Sequence, residues 1–290
     1  MPENDLNEDS IIAPTNGPSK GIIFWQSLIC LLVMMCAAGV MVTASKSGVS
    51  LIGTSVSSQY SNWKILTTLV GVMALVFLTM NSVRSTKLLG TVMFLAIIFG
   101  LTFGVNVLFG PAIGTVVFCL AVVVYYSNPW VMLYDLVLCL GLAGICAAIG
   151  PAFQSWVLLL VLGLVAIYDV MIIYLSGRSV LFSHQLPPRR SFIYFFFPFY
   201  WSNFLVRVRK ANRNVNDFGF RGIGELLLPT MFAASVMWHY GLAAAGSVML
   251  GATLFLVLTH ITTSWPRLTS ILPPLALGSV IGYLTFFLII

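Results

Sequence analysis

The sequence predicts an all-α polytopic membrane protein with nine transmembrane helices, and three observations carry that prediction. The 290 residues are 59% hydrophobic and only 8% charged, with a mean hydropathy of +1.01, whereas a soluble domain carries about a quarter charged residues. Apolar runs long enough to cross a hydrocarbon core of about 30 Å follow one another along the chain. The cations, finally, sort to one side of those runs. Together these exclude an ordinary water-soluble globule.

Residues 1–20 contain Glu3, Asp5, Glu8 and Asp9 among Pro2, Pro14, Gly17 and Pro18, a composition that cannot bury a core and reads as a disordered cytoplasmic tail. The tail lacks a basic signal-peptide start, and the apolar run after it is longer than a signal-peptide core of about 7 to 15 residues, so it reads as a retained first span. Spans are expected at 21–44, 65–83, 88–108, 111–127, 130–149, 152–176, 222–240, 242–262 and 268–290, making 21–290 one nine-helix membrane domain. Trp25, Trp63, Trp130, Trp156, Trp238 and Trp265 fall near run ends, where amphipathic rings prefer the interface.

With nine spans, Lys20, Arg84, Lys87, Arg267 and the eight basic residues between Arg178 and Arg221 share the side of the N-terminus, while only Lys46 and Lys64 lie opposite. The positive-inside rule then places the N-terminus in the cytoplasm and the C-terminus outside. The net charge of +6 is concentrated in the cytoplasmic loop 177–221 between two spans. A cationic loop there suits anionic lipid headgroups and not nucleic acid. Cys30, Cys36, Cys119, Cys139 and Cys146 lie within apolar runs without ligand spacing, and His184, His239 and His260 lie near span ends; no metal or other cofactor is expected.

Outside the tail only Asp135, Asp169, Asp217 and Glu225 are acidic. A carboxyl at membrane depth is costly unless paired, protonated or facing water, so each is a functional hypothesis. Asp217 belongs to the loop. Asp135, in Trp130-Val-Met-Leu-Tyr-Asp135, reads as a structural partner near a helix N-terminus or as a third functional acid. Asp169 has apolar sequence on both sides, and Glu225 follows Gly222-Ile-Gly224 at the start of the seventh span. At about 1.5 Å per residue, Asp169 lies roughly 13 Å before Arg178 and Glu225 roughly 6 Å after Arg221. Both then occupy the cytoplasmic halves of antiparallel helices, and a Gly-Ile-Gly segment bending inward closes the depth difference. Two facing carboxyls in low dielectric share one proton, one serving as base toward water and the other as acid toward a carbonyl oxygen.

The ninth span opens with Leu272-Pro273-Pro274-Leu275. The prolines read either as a plain helix start or as a mark of non-helical backbone before them, tolerated only where protein or water covers it.

At these residues the sequence resembles the presenilin and signal peptide peptidase family of intramembrane aspartyl proteases, most of all its archaeal and bacterial members. Tyr168-Asp169 matches the family's Tyr-Asp pair in the sixth span, Gly222-Ile-Gly224-Glu225 stands at its Gly-x-Gly-Asp motif, and Leu272-Pro273-Pro274-Leu275 stands at its Pro-Ala-Leu type motif. The resemblance implies a presenilin-like fold in a prokaryotic cell membrane and an aspartic endopeptidase that hydrolyses transmembrane protein substrates. It makes Asp169 and Glu225 catalytic, with Tyr168, Gly222, Gly224, Leu272, Pro273, Pro274 and Leu275 binding or supporting the substrate. The orientation matches presenilin, so substrates are expected to have their N-termini outside. Glu225 departs from the family's Asp: either the dyad is adjusted to the longer side chain, or catalysis is lost and a protein that binds transmembrane helices remains. A proton- or ion-coupled transporter using Asp135, Asp169 and Glu225 is the third reading, for which paired broken helices would be expected.

The loop also contains the aromatic run from Phe192 to Leu205, too short to span. It reads as an interfacial anchor beside Arg207, Arg209 and Lys210 or as a gate over the two acids.

Overall fold

The computed structural model describes residues 20–47, 86–176, 194–198, 200–211, 217–262 and 271–289. The tail, the span expected at 65–83, and the stretches 177–193, 212–216 and 263–270 lie outside the described residues. Eight long helices are present among those described: α1 Lys20–Ser47, α2 Thr86–Phe109, α3 Pro111–Tyr126, α4 Val131–Ile149, α5 Ser155–Ser176, α6 Ile223–Tyr240, α7 Leu242–Thr262 and α8 Leu272–Ile289. Each follows from the same constraint: without water, an apolar segment can satisfy its backbone only within itself. Helix boundaries fall at the sequence's own punctuation. Pro111 opens α3, where its missing N–H costs nothing, and α6 stops at Gly241 with φ 92°.

Five of these helices are long and apolar enough to cross a membrane, and α3 and α5 contain shorter apolar stretches. With the fold described below, this makes the chain an integral membrane protein. Helix α6 carries Glu225, Thr230, Ser235 and His239 and is surrounded by protein. It packs against α1, α4, α5, α7 and α8, and 11 of its 18 residues are buried.

Two helix pairs approach by glycine contact, the solution favoured where lipid removes the hydrophobic drive between helices. A Cβ placed on Gly144 of α4 would collide with the Gly100 carbonyl of α2, and one on Gly278 of α8 with the Gly251 carbonyl of α7. At the far end of the bundle Ser235 donates to the Phe153 carbonyl at 2.6 Å and lies 3.1 Å from the Ser155 hydroxyl, tying α6 to the start of α5.

The all-α expectation needs one correction. Strand β1, Tyr194–Pro198, pairs antiparallel with β2, Phe218–Gly222, with Tyr194 opposite Gly222 and Phe196 opposite Phe220. The sequence Tyr-Phe-Phe-Phe has high strand propensity, and a segment too short to span must pair its backbone some other way. Phe195, Phe196 and Phe197 are buried, and Phe196 meets Tyr134 of α4 edge-on at 5.3 Å. Phe195 to Pro198 of the aromatic run are therefore core, neither lipid anchor nor free lid. The chain just after the run is pinned to the α3–α4 turn: Val131 N–H donates to Val206 O at 2.9 Å, Val208 N–H to Pro129 O at 3.0 Å, and Arg209 N–H to Asn128 Oδ1 at 2.9 Å. That leaves Tyr200, Leu205, Arg207, Arg209 and Lys210 exposed beside Trp130.

Candidate active site

Strand β2 runs directly into α6, so Gly222 is both the last residue of the strand and the N-cap of the helix. Glu225 is then the third helical residue, the position from which a glutamate side chain reaches back to the N-cap N–H. It does so here: Gly222 N–H donates to the Glu225 carboxylate. The other oxygen, Oε2, accepts from Ile271 N–H at 2.8 Å. Ile271 is the buried residue immediately before Leu272-Pro273-Pro274-Leu275, so one carboxylate joins the Gly-x-Gly and proline motifs.

Asp169 comes from α5, which packs against both α6 and α8, and its charge acts on Glu225. Tyr168 is 50% exposed, and Ile167, Val170 and Met171 are exposed with it. The turn carrying Asp169 is thus left open by the described residues, whereas Glu225 is tied on two sides.

Two neighbours of Glu225 were not singled out by the sequence reading. Arg221, in β2, is the cation nearest in sequence; burial pulls its guanidinium down against the opposing attraction of Glu225. Tyr194, opposite Gly222 in β1, is also close, and burial together with the Glu225 charge pushes its phenol up. Arg221 was legible as the basic residue one turn before Glu225. Tyr194 was not, since only the strand pairing brings it there.

The remaining expected site residues are placed as follows. Neither glycine of the Gly-x-Gly segment has positive φ; Gly222 is extended at φ −67° and ψ 138°, and Gly224 sits in the first turn of a regular helix. The chain therefore turns from strand into helix at Gly222 without a left-handed residue. Gly224 is exposed, with open space where a Cβ would lie. Leu272, Pro274 and Leu275 are buried and Pro273 half-buried, and both prolines fall in the first turn of α8, as in a plain helix start. Asp135 is buried but does not serve its own helix N-terminus: Oδ1 accepts from Phe196 N–H in β1 at 3.1 Å. His239 Nδ1 lies 2.9 Å from the Ser235 carbonyl. No group of three or more metal-ligating side chains is present among the described residues.

Nothing among protein-family models or curated proteins matches the chain. Solved structures do match, among them two of a presenilin family intramembrane aspartate protease. The first, in the C222 space group, superposes with a TM-score of 0.59 at 16% identity, covering 92% of this chain and 99% of that one. The second, in the P2 space group, gives 0.58 at 17% identity, covering 94% and 98%. Over nearly its whole length, the chain therefore shares the presenilin-type fold of intramembrane aspartate proteases.

Proposed function

We propose that the protein is an intramembrane-cleaving aspartyl-type endopeptidase that hydrolyses transmembrane protein helices with Asp169 and Glu225. The observation that carries this reading is the Glu225 carboxylate, which accepts from Ile271 N–H at 2.8 Å while lying within the electrostatic reach of Asp169. The helices that bear the three motifs also pack together, α5 against both α6 and α8.

The two acids share one proton: one draws a proton from the attacking water, and the other gives the shared proton to the scissile carbonyl oxygen. An extended substrate segment has a ready edge to join. Because Phe196 N–H points away from β2 toward Asp135, the opposite Phe220 directs its own N–H and carbonyl away from β1. Strand addition there supplies affinity without reading side chains, and the open space at Gly224 admits the incoming backbone. The exposed Arg207, Arg209 and Lys210 suit anionic lipid headgroups on the cytoplasmic side, and with the N-terminus on that side the resemblance to presenilin implies substrates whose N-termini lie outside.

The test is cleavage of a type I transmembrane substrate by the purified protein in lipid, compared with Asp169→Ala and Glu225→Gln. Loss of cleavage in both supports the dyad, and unchanged cleavage in Asp169→Ala ends it. One observation favours a second reading, a helix-binding protein without turnover: Glu225 already acts as the cap of α6. In that case the wild-type protein binds the substrate and does not cut it.

A further inference from the structure

Asp135 is 4% exposed on α4, and it spends one oxygen on a partner 61 residues away, the Phe196 N–H. Its other oxygen, Oδ2, is buried and meets no hydrogen-bond donor among the described residues. An acid buried in this way is costly, and the single bond it makes is to the outer edge of the β1–β2 ribbon. Register is set by the hydrophobic pattern and by turn geometry, but here the strands are joined by the whole stretch 199–217, too long for a turn to set it, and β1 is buried on both faces from Phe195 to Pro198, so its pattern does not distinguish them. Yet register matters acutely. Phe196 faces Phe220, two residues before Gly222 and five before Glu225. A slip of one residue would move the entry to α6 by about 3.3 Å and turn every ribbon side chain to the opposite face.

We propose that Asp135 is a positioning residue for the Asp169/Glu225 pair: through the Phe196 N–H it fixes the depth and register of the ribbon whose second strand delivers Glu225. The proposal rests on the protease reading only for its effect on turnover; the geometric effect stands apart from it. Asp135 touches neither the substrate nor the two acids, and acts through β1 and β2. Asparagine keeps an oxygen acceptor in the same place, and leucine keeps bulk without one.

The full chain in lipid is therefore compared as wild type, Asp135→Asn and Asp135→Leu by two readouts. The first is cross-linking by a short bis-methanethiosulfonate reagent, read by mass spectrometry. Glu225→Cys with Ile271→Cys reports the junction; Ser155→Cys with Ser235→Cys, at the far end of α6, reports the fold. The second is the separation of kcat from KM with a transmembrane substrate. In Asp135→Leu the 225–271 cross-link falls about tenfold with the 155–235 cross-link intact, and kcat falls about 100-fold with KM within about threefold, as for a misplaced reacting group. Asp135→Asn stays near wild type in both. An unchanged 225–271 cross-link in Asp135→Leu overturns the proposal, as does equal loss of both cross-links or an Asp135→Asn variant as impaired as Asp135→Leu. If the wild type cuts nothing while the cross-links behave as stated, the protease reading fails and the positioning role stands.

Discussion

Replacing Glu225 by aspartate restores the residue type expected at this motif, and the geometry says that it damages this protein. The Glu225 carboxylate lies 2.8 Å from Ile271 N–H, and removing one methylene withdraws it by a C–C bond of about 1.5 Å. With the backbone unmoved, the separation grows to about 4 Å, beyond a hydrogen bond. Ile271 is buried, so its N–H would be left unpaired, and loss of a hydrogen bond to a charged group costs about 2 kcal/mol. For a chain of this size that lowers the melting midpoint by about 3 °C. A carboxyl displaced by about 1 Å also loses about 100-fold in turnover. The assay pairs thermal unfolding in lipid with cleavage of a type I transmembrane substrate, for wild type, Glu225→Asp and Glu225→Gln. A Glu225→Asp variant that melts with the wild type and cleaves as fast or faster would refute the reasoning, and Glu225 would then be a degraded aspartate instead of an adapted partner of Ile271.

Asp169→Asn keeps the size of a half-buried side chain on an open turn, so cleavage should fall by up to about 10⁴-fold, the range of lost acid–base catalysis, with the melting midpoint unchanged. Gly278→Leu drives a side chain into the Gly251 carbonyl and should cost about 3 kcal/mol or more by overpacking, read as a lowered melting midpoint. Gly246→Ala, on the same α7 helix as Gly251 but with open space at its Cβ position, should leave that midpoint unchanged or raise it. Ser235→Ala removes the contacts to the Phe153 carbonyl and the Ser155 hydroxyl and should cost about 2 kcal/mol. Its effect on cleavage should be small, because Ser235 lies about 15 Å along α6 from Glu225.

The helices were the most legible part of the sequence because lipid leaves an apolar segment few alternatives. The runs at 111–127 and 242–262 correspond to Pro111–Tyr126 and Leu242–Thr262, since Pro111 and Gly241 punctuate the chain where the backbone turns. The β ribbon was hidden. Its strands lie far apart in sequence, and Phe-Gly-Phe-Arg-Gly is too short for its alternation to stand out. With the ribbon went Tyr194 as a neighbour of Glu225 and Phe196 as the partner of Asp135. Polar scarcity did mark Asp169, Glu225 and Asp135 as worth attention, because each charged group in lipid is costly and must be compensated. What scarcity could not assign was the compensation itself, a backbone N–H from another element in two of the three cases.

That last point bears on why a glutamate stands at 225. At the third residue of a helix, a glutamate carboxylate can reach back to the N-cap N–H, and Glu225 does this with Gly222 while also accepting from Ile271. The same side chain thus closes the start of α6 and holds the proline motif of α8. Capping and catalysis make opposite demands on it: the cap favours a carboxylate fixed by donors, and proton exchange with water requires an accessible oxygen. Each Glu225 oxygen has more than one lone pair, so accepting one N–H apiece leaves acceptor capacity for a proton or a water. The two backbone bonds then act as preorganisation, holding the acceptor before substrate arrives. If they occupied the oxygens completely, the chain would retain helix binding without turnover. The pair of readings therefore separates on Glu225→Gln, whose amide can still accept from one of the two N–H groups but cannot take a proton from water. Substrate binding that survives this change while cleavage disappears is the pattern of a glutamate that does both jobs.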